Sequence, residues 1–265
     1  MKSNQFFSPQ RFVMLLRYDL IINYKKYIFT AVGAFIAGFL LLYTALPSKH
    51  SFNSFPMQAY WELLIPALLA FGAFVGLSFP EAGNKINLTR YLLLPASNFE
   101  KFTSQFTIRI LLGGLLFLAI FWVDAYLARI VIVNSAESLG LVSQIEPFSY
   151  SSLLDTIKSD KEYPLIFLTI FAIGFYLFSS RLFFGKFGLV KSLIGLTALG
   201  YIFSLLMVMF THIFYPETIG FKVNITDYIV YKEYSNMELF IGFMATLSII
   251  TLLPLGYFKL KEKQL

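Results

Sequence analysis

The chain has 265 residues, of which 57% are hydrophobic and 14% are charged. An average soluble domain carries about 25% charged residues, so this chain has too few charges to keep the surface of a soluble globular enzyme hydrated. The absence of cysteine excludes a disulfide scaffold, and the apolar composition excludes intrinsic disorder. The composition therefore predicts an integral membrane protein.

The first predicted element lies in residues 1–26. Ser8 followed by Pro9 is a typical helix start, because the hydroxyl caps the first turn and proline fits the first helical position. Apolar side chains then recur every three or four residues, at Phe12, Leu15, Leu16, Leu20 and Tyr24. This pattern predicts an amphipathic helix in the membrane interface, either as a simple anchor or as an element that also docks a partner.

Six stretches are long and apolar enough to cross about 30 Å of hydrocarbon as helices. In chain order they are Tyr27–Leu46, Tyr60–Phe79, Phe106–Val133, Pro164–Phe178, Leu189–Tyr215 and Leu239–Phe258. The fourth is short unless its helix continues through Ser179 and Ser180, and the third is long enough to tilt or project. The predicted fold class is an all-α membrane protein with a six-helix transmembrane domain in residues 27–258.

The positions of Lys and Arg predict the orientation of these spans. If the N-terminus is cytoplasmic, 15 of the 21 basic residues fall on the inner side, as the positive-inside rule requires. Both termini, including the tail at 259–265, are then cytoplasmic, and the outer loops are 47–59, 134–163 and 216–237. The predicted location is a bacterial inner (cytoplasmic) membrane. The net charge of +6 is attributed to contact with anionic membrane lipid, not to nucleic acid.

A cytoplasmic loop at residues 81–105 separates spans two and three. A short helix that starts near Asn87 or Thr89 must end before Pro95. Ser97 with Glu100 three residues later forms a capping box, which starts the next helix. The exposed apolar patch Tyr91–Leu94 beside charged residues indicates a docking site for a soluble partner, the alternative being leucines that lie on lipid headgroups.

Sequence motifs for catalysis are missing. Gly185–Lys186 is the only Gly-Lys pair, and it lacks the upstream glycine and the following hydroxyl of a phosphate-binding loop. No zinc-protease motif and no Gly-x-Ser-x-Gly motif occurs, and His50 and His212 each lack a second ligand at metal-binding spacing. The chain is therefore predicted to hold no catalytic residue, cofactor or metal ion of its own.

Ionisable residues within spans are costly and are therefore candidates for function. Asp124 and Arg129 lie in the outer part of span three, near Trp122 and Tyr126. An aromatic pair of this kind is typical of the membrane interface, so Asp124 is expected near the headgroups. The alternative is a pair of residues that contacts a substrate.

Small residues four positions apart allow close approach of helices. Span two carries Gly72 and Gly76, and span one carries Ala34 and Gly38. This spacing predicts tight packing either within the chain or at a dimer seam.

The surface helix, the six spans and the helical loop after span two together resemble permease subunits of bacterial type 2 ABC exporters. The phrase Tyr91-Leu-Leu-Leu-Pro-Ala-Ser-Asn-Phe-Glu-Lys-Phe102 is similar to a loop in bacterial members. The topology matches over almost the whole chain, whereas the long outer loop at 134–163 departs from the family pattern. The resemblance implies a second permease chain in a homodimer or heterodimer, and a separate ABC ATPase subunit that binds ATP and Mg.

The resemblance also implies roles for individual segments. Residues 8–26 would form a connecting helix, residues 81–101 a coupling region, and residues 216–237 re-entrant outer helices. The connecting helix would use Phe12, Leu16, Arg17 and Leu20, and the ATPase would contact Arg90, Leu93, Leu94, Pro95, Glu100 and Lys101. The apolar, Phe-rich interior favours a lipid-like or amphipathic cargo. Two alternatives remain open: a membrane anchor or assembly subunit that transports nothing, and an integral membrane enzyme that acts on lipids.

Overall fold

A computed structural model describes residues 6–45, 57–138, 147–159, 162–214, 229–231 and 234–263. Among these residues, five helices are long and apolar enough to cross a membrane. They are Pro9–Ala45, Asn98–Ser135, Tyr163–Phe184, Gly188–Leu206 and Glu238–Glu262. A shorter apolar helix, Tyr60–Val75, occupies the position of the second predicted span. The chain therefore has the helical architecture of a multi-pass membrane protein.

The described residues form nine α-helices and two short strands. The helices are α1 (Pro9–Ala45), α2 (Met57–Val75), α3 (Lys85–Leu92), α4 (Asn98–Phe106), α5 (Gly113–Ser138), α6 (Tyr150–Ser159), α7 (Glu162–Phe184), α8 (Gly188–Phe214) and α9 (Asn236–Glu262). A 3-10 turn (Pro80–Gly83) precedes α3, and a π-helical segment (Thr107–Leu112) joins α4 to α5. Strands β1 (Ile229–Tyr231) and β2 (Tyr234–Ser235) pair antiparallel, with Ile229 opposite Ser235.

The chain divides into two compact units. The first contains Met1–Val75 and Leu93–Pro164, and the second contains Gly76–Leu92 and Leu165–Leu265. The first unit therefore holds α1, α2, α4, α5 and α6, and the second holds α3, β1, β2, α8, α9 and all but the start of α7.

In the first unit, α1 lies beside α4 and α5 and runs in the same direction. Arg11 contacts Glu100 near the start of both elements, and Tyr27 contacts Arg109 further along. Gly38 contacts Asp124 further still, so the contact positions advance together on both helices. A parallel course of α1 and α5 agrees with their prediction as the first and third spans, because alternating passages across a membrane would make these two spans parallel.

The predicted boundary between an interfacial helix and span one is wrong. The start at Pro9 is confirmed, but α1 continues unbroken to Ala45 over 37 residues, about 55 Å at 1.5 Å per residue. No proline or glycine occurs between Pro9 and Gly33, so the sequence contains none of the usual causes of a helix break there.

The second helix ends earlier than predicted, at Val75 instead of Phe79. Pro80 disfavours helical geometry in the residue before it, and Phe79 adopts a left-handed conformation with φ of 52°. The Phe79 ring is 1% exposed and packs 5.3 Å from the ring of Phe178 in the second unit. This burial offsets the strain of the left-handed backbone, which costs about 1–3 kcal/mol for such a residue.

Two local predictions are confirmed. Helix α7 runs through Ser179 and Ser180 to Phe184, so the fourth span is not short. Ser97 and Glu100 form the predicted capping box at the start of α4.

The segments that were predicted to be outer loops are only partly described. In the segment predicted as re-entrant helices, the described residues form β1, β2 and the start of α9, so that prediction is wrong for 229–231 and 234–235. Residues 46–56, 139–146, 160–161, 215–228 and 232–233 lie outside the described residues, as do His50 and the side chain of His212.

Candidate functional site

The carboxylate of Glu100 joins the beginnings of α1 and α4. Its Oε1 accepts hydrogen bonds from the Ser8 backbone N–H at 2.6 Å and from Arg11 Nη2 at 3.0 Å. Its Oε2 accepts one from the Ser97 backbone N–H at 2.7 Å, and Glu100 N–H donates to Ser97 Oγ at 3.1 Å. One buried side chain thus satisfies N–H groups that two helix starts would otherwise leave unpaired. We call Ser8, Arg11, Ser97 and Glu100 the Glu100 cluster.

Aromatic rings cover the Glu100 cluster. Phe6 stacks on Phe99 with ring centroids 4.9 Å apart, and Phe7 meets Phe99 edge-on at 6.1 Å. Ser97 Oγ donates to the Phe6 carbonyl at 2.6 Å. The residues just before α1 are therefore held against the first turn of α4.

The prediction that Glu100 and Lys101 contact a partner protein is wrong. Both side chains are 0% exposed, and the charge of Glu100 is paired with Arg11 within the chain. The physical reason is that α1 packs on α4, which turns this face of the second loop helix into interior.

Further along the same helices, Asp19 accepts three hydrogen bonds. Its Oδ1 accepts from Asn23 Nδ2 at 3.0 Å and from Gln105 Nε2 at 3.3 Å, and its Oδ2 accepts from the Tyr27 hydroxyl at 2.5 Å. Asp19, Asn23 and Gln105 are at most 5% exposed. A buried carboxylate is tolerated when donors surround it in this way. We call Asp19, Asn23, Tyr27 and Gln105 the Asp19 cluster.

Sequence reasoning missed the Asp19 cluster, although a signal was present. Asp19, Asn23 and Tyr27 recur every four residues in an otherwise apolar helix and therefore share one face. In a membrane protein such a polar face is expected to turn toward neighbouring helices, while the apolar stripe contacts lipid.

The residues of α1 that were predicted for a connecting helix differ in exposure. Phe12 and Leu16 are partly buried, whereas Arg17 and Leu20 are exposed. The exposed pair remains accessible to lipid or to a partner.

An apolar cavity of about 420 Å³ lies between α1, α2 and α5. Small side chains of α1 form one wall, and aromatic rings form much of the rest. These residues are Ala31, Ala34, Ala37 and Gly38 on α1, Phe71 and Phe74 on α2, and Phe117 and Phe121 on α5. The volume falls within the range of about 300–1,000 Å³ that is typical of small-ligand sites.

Asp124 is the only charged residue in the described lining of this cavity. Its side chain is 1% exposed, and its buried Oδ1 has no hydrogen-bond partner among the described residues. Its Oδ2 lies so close to Gly38 that a Cβ at position 38 would clash with it. Glycine at 38 therefore makes room for the carboxylate.

The aromatic side chains near Asp124 in the sequence do not face the cavity. Trp122 and Tyr126 are 49% and 55% exposed and stack on each other with centroids 6.0 Å apart, so the aromatic pair faces outward while Asp124 faces inward. Arg129 is partly buried, five positions on and about 140° around the helix. The structure does not bring Asp124 and Arg129 together as a pair.

The two glycines proposed for a substrate path or dimer seam do not share a helix. Gly72 is buried within α2, whereas Gly76 lies in the turn after Val75. Gly76 therefore directly follows α2, and the assignment of both glycines to a substrate path or dimer seam stays a prediction.

Around α3, the structure exposes part of the predicted docking patch. Leu93 is 77% exposed, and Arg90 and Pro95 are exposed as well, while Leu94 is partly buried. Tyr91 is 5% exposed, so its inclusion in the exposed patch is wrong.

Ile86 is a further exposed residue of α3 that sequence reasoning did not single out. Its side chain is 64% exposed, one helical turn before Arg90. We call Ile86 and Arg90 the α3 surface.

Comparison of the chain with protein-family models, with curated proteins and with solved structures gave no match. Among the described residues, no group of three or more His, Asp or Glu side chains is placed to hold a metal ion. Inference about function therefore starts from the clusters, the cavity and the α3 surface.

Proposed function

We propose that the chain is the permease subunit of an ATP-driven ABC exporter in a bacterial cytoplasmic membrane. It would cross the membrane six times with both termini in the cytoplasm, and a second, identical or related permease chain would complete the transporter. A separate ATPase subunit would bind ATP and Mg and drive the export of a lipid-like or amphipathic cargo.

The observation that carries this proposal is the α3 surface together with Leu93, the residue directly after α3. Ile86 and Leu93 are large apolar side chains, 64% and 77% exposed, and α3 is a short helix between the second and third predicted spans. Scattered apolar residues on membrane-spanning helices are covered by lipid, but this helix has a polar composition and lies outside the apolar stretches. An exposed apolar pair that flanks Arg90 is suited to insertion into a groove of a soluble protein.

The route by which a docked ATPase would move the spans follows from chain connectivity. Residues 93–97 lead from α3 into α4, and α4 continues through the π-helical segment into α5. Because the Glu100 cluster fixes the beginning of α4 to the beginning of α1, a displacement delivered at residue 97 would move α1 and α5 together. Closure of two ATPase subunits would then rock these helices between inward and outward openings.

Co-purification tests the proposal directly. The chain is expressed with the phosphate-loop ATPase encoded by a neighbouring reading frame, and the ATPase bound to the purified chain is quantified. We expect Ile86→Asp and Leu93→Asp each to lower the bound ATPase at least about tenfold, since burying each apolar side chain is worth about 1.5–3 kcal/mol.

Phe187→Asp is the matched control, because Phe187 is as exposed as Ile86, at 64%, and lies in the turn between α7 and α8. It should leave the bound ATPase unchanged. Unchanged binding by both the Ile86 and the Leu93 variants would contradict the docking proposal. An ATPase that binds but whose hydrolysis rate does not respond to the chain would favour the non-transporting anchor.

A further inference from the structure

We propose that the cavity between α1, α2 and α5 binds a lipophilic primary ammonium ion, with the ammonium N–H donating to Asp124. The ligand is an amine with one positive charge on an apolar body. Its identification as the exported cargo rests on the proposed function, whereas its binding to this chain does not.

The first argument is that Asp124 Oδ1 lacks the hydrogen-bond donors that surround the other two buried carboxylates described in this unit. Glu100 and Asp19 each accept at least three hydrogen bonds from within the chain. Asp124 is equally buried, yet its Oδ1 has no donor among the described residues. A buried carboxylate without a donor is costly for the fold, and a ligand that supplies the donor removes that cost.

The second argument is the shape of the site around the carboxylate. The absence of a side chain at Gly38 allows Asp124 Oδ2 to rest against α1, and Asp124 lines the cavity. The remaining lining is dominated by Ala, Leu and Phe side chains, which favour an alkyl or aryl body.

The third argument excludes other charged ligands. The described lining contains no Lys or Arg, so a phosphate or carboxylate group on the ligand would be buried without a counter-charge. A hard metal cation requires about six oxygen ligands, and the described lining offers one carboxylate. A single ammonium group matches the single negative charge and can donate a charge-assisted hydrogen bond.

Equilibrium binding of radiolabelled dodecylamine tests this proposal. The purified chain is placed in phosphatidylcholine nanodiscs without any ATPase, empty nanodiscs are subtracted, and unlabelled dodecanol competes as the neutral analogue. We expect dodecylamine to bind at least about tenfold more tightly than dodecanol, because a hydrogen bond between charged groups is lost with the alcohol. Equal affinities for the two probes in the wild-type chain would overturn the proposal.

Three variants separate charge from apolar contact. Asp124→Asn, which keeps the shape of the side chain, should remove the preference for the amine, whereas Glu62→Gln, a change at an exposed carboxylate of α2 outside the lining, should not. Ala34→Leu fills part of the cavity and should weaken both probes. Retained amine preference in a monodisperse Asp124→Asn protein would contradict the assigned role of Asp124.

The two proposals fail in different ways. Loss of ATPase docking in the co-purification assay leaves dodecylamine binding intact, because the dodecylamine experiment contains the permease chain without any ATPase. Loss of amine preference leaves the ATPase complex intact and removes only the ligand assignment.

Discussion

Helix α1 packs along α4 and α5, and we call this contact the seam. Its two ends treat a buried carboxylate in opposite ways. Along the first half of α1, the carboxylates of Glu100 and Asp19 accept hydrogen bonds from donors on both α1 and the chain at or within α4. At the Gly38 level, Asp124 is as thoroughly buried, but its Oδ1 has no donor among the described residues. The hydrogen bonds of Glu100 and Asp19 hold the helices together at the first end. At the second end, Asp124 Oδ1 can accept a hydrogen bond from a ligand.

This comparison separates structural from functional ionisable residues in an apolar protein. Burial alone does not distinguish them, because all three carboxylates are at most 5% exposed. The supply of donors does distinguish them. Substitution should therefore destabilise the chain at the first end and change ligand binding at the second.

The largest effect is expected for Glu100→Ala. The change removes the capping box and leaves Arg11 and the Ser8 and Ser97 N–H groups without their acceptor. We expect the free energy of unfolding in detergent micelles to fall by about 3 kcal/mol, measured by thermal unfolding followed by circular dichroism.

The control for that change is Glu262→Ala, which breaks the pair between Lys259 and Glu262 at 2.6 Å. Because this pair is solvent-exposed, its loss should cost less than about 1 kcal/mol. Equal effects of the two substitutions would show that the Glu100 cluster contributes no more than a surface ion pair.

A smaller loss is expected for Asp19→Asn. The oxygen of the new amide can still accept a hydrogen bond from Asn23 or Tyr27. Its NH₂ group, however, replaces an oxygen that accepted a hydrogen bond, so two donors then face each other. The expected decrease in the free energy of unfolding is about 2 kcal/mol, and Glu137→Gln at an exposed position of α5 should change it by less than about 0.5 kcal/mol. A decrease no larger than that of Glu137→Gln would mean that the Asp19 carboxylate does not stabilise the contact between α1 and α4.

The local parts of this structure were predictable from sequence because their causes are local. Pro9 and the Ser97–Glu100 box act within one turn of the helices that they start, and long apolar stretches identify themselves by length. The early end of α2 at Val75 was signalled by Pro80, but the continuous hydrophobicity up to Phe79 suggested a longer helix.

The seam was not predictable, because its partners are distant in sequence. Arg11 and Glu100 are 89 positions apart, and neither periodicity nor capping specifies which helices become neighbours. Glu100 therefore looked like a surface charge at the docking loop, and Asp124 looked like a member of an interfacial belt. The two residues differ because the N-terminal end of α1 supplies hydrogen-bond donors to Glu100, whereas α1 supplies none to Asp124 Oδ1 among the described residues.

A still smaller effect on stability is expected for Gly38→Ala. A Cβ at position 38 displaces Asp124 Oδ2, so the free energy of unfolding should fall by about 1 kcal/mol and the preference for dodecylamine should decrease. Gly33→Ala is the matched control on α1, because a Cβ there meets nothing within 4 Å. It should stabilise the helix by up to about 1 kcal/mol. Equal shifts for both variants would show that Gly38 has no special relation to Asp124.

The smallest effect on stability is expected for Asp124→Asn, and its sign is the sharpest test of the comparison. Since Oδ1 has no donor to lose among the residues that the structure describes, the neutral amide should leave the free energy of unfolding unchanged or raise it by up to about 1 kcal/mol, as the burial of a lone charge is relieved. Glu100→Gln, the same chemical change at the other end of the seam, should lower stability. Thermal unfolding of both variants alongside the wild-type chain decides the matter: a loss at Asp124 as large as that at Glu100 would mean that the two carboxylates are both structural, and the distinction between the two ends of the seam would be wrong.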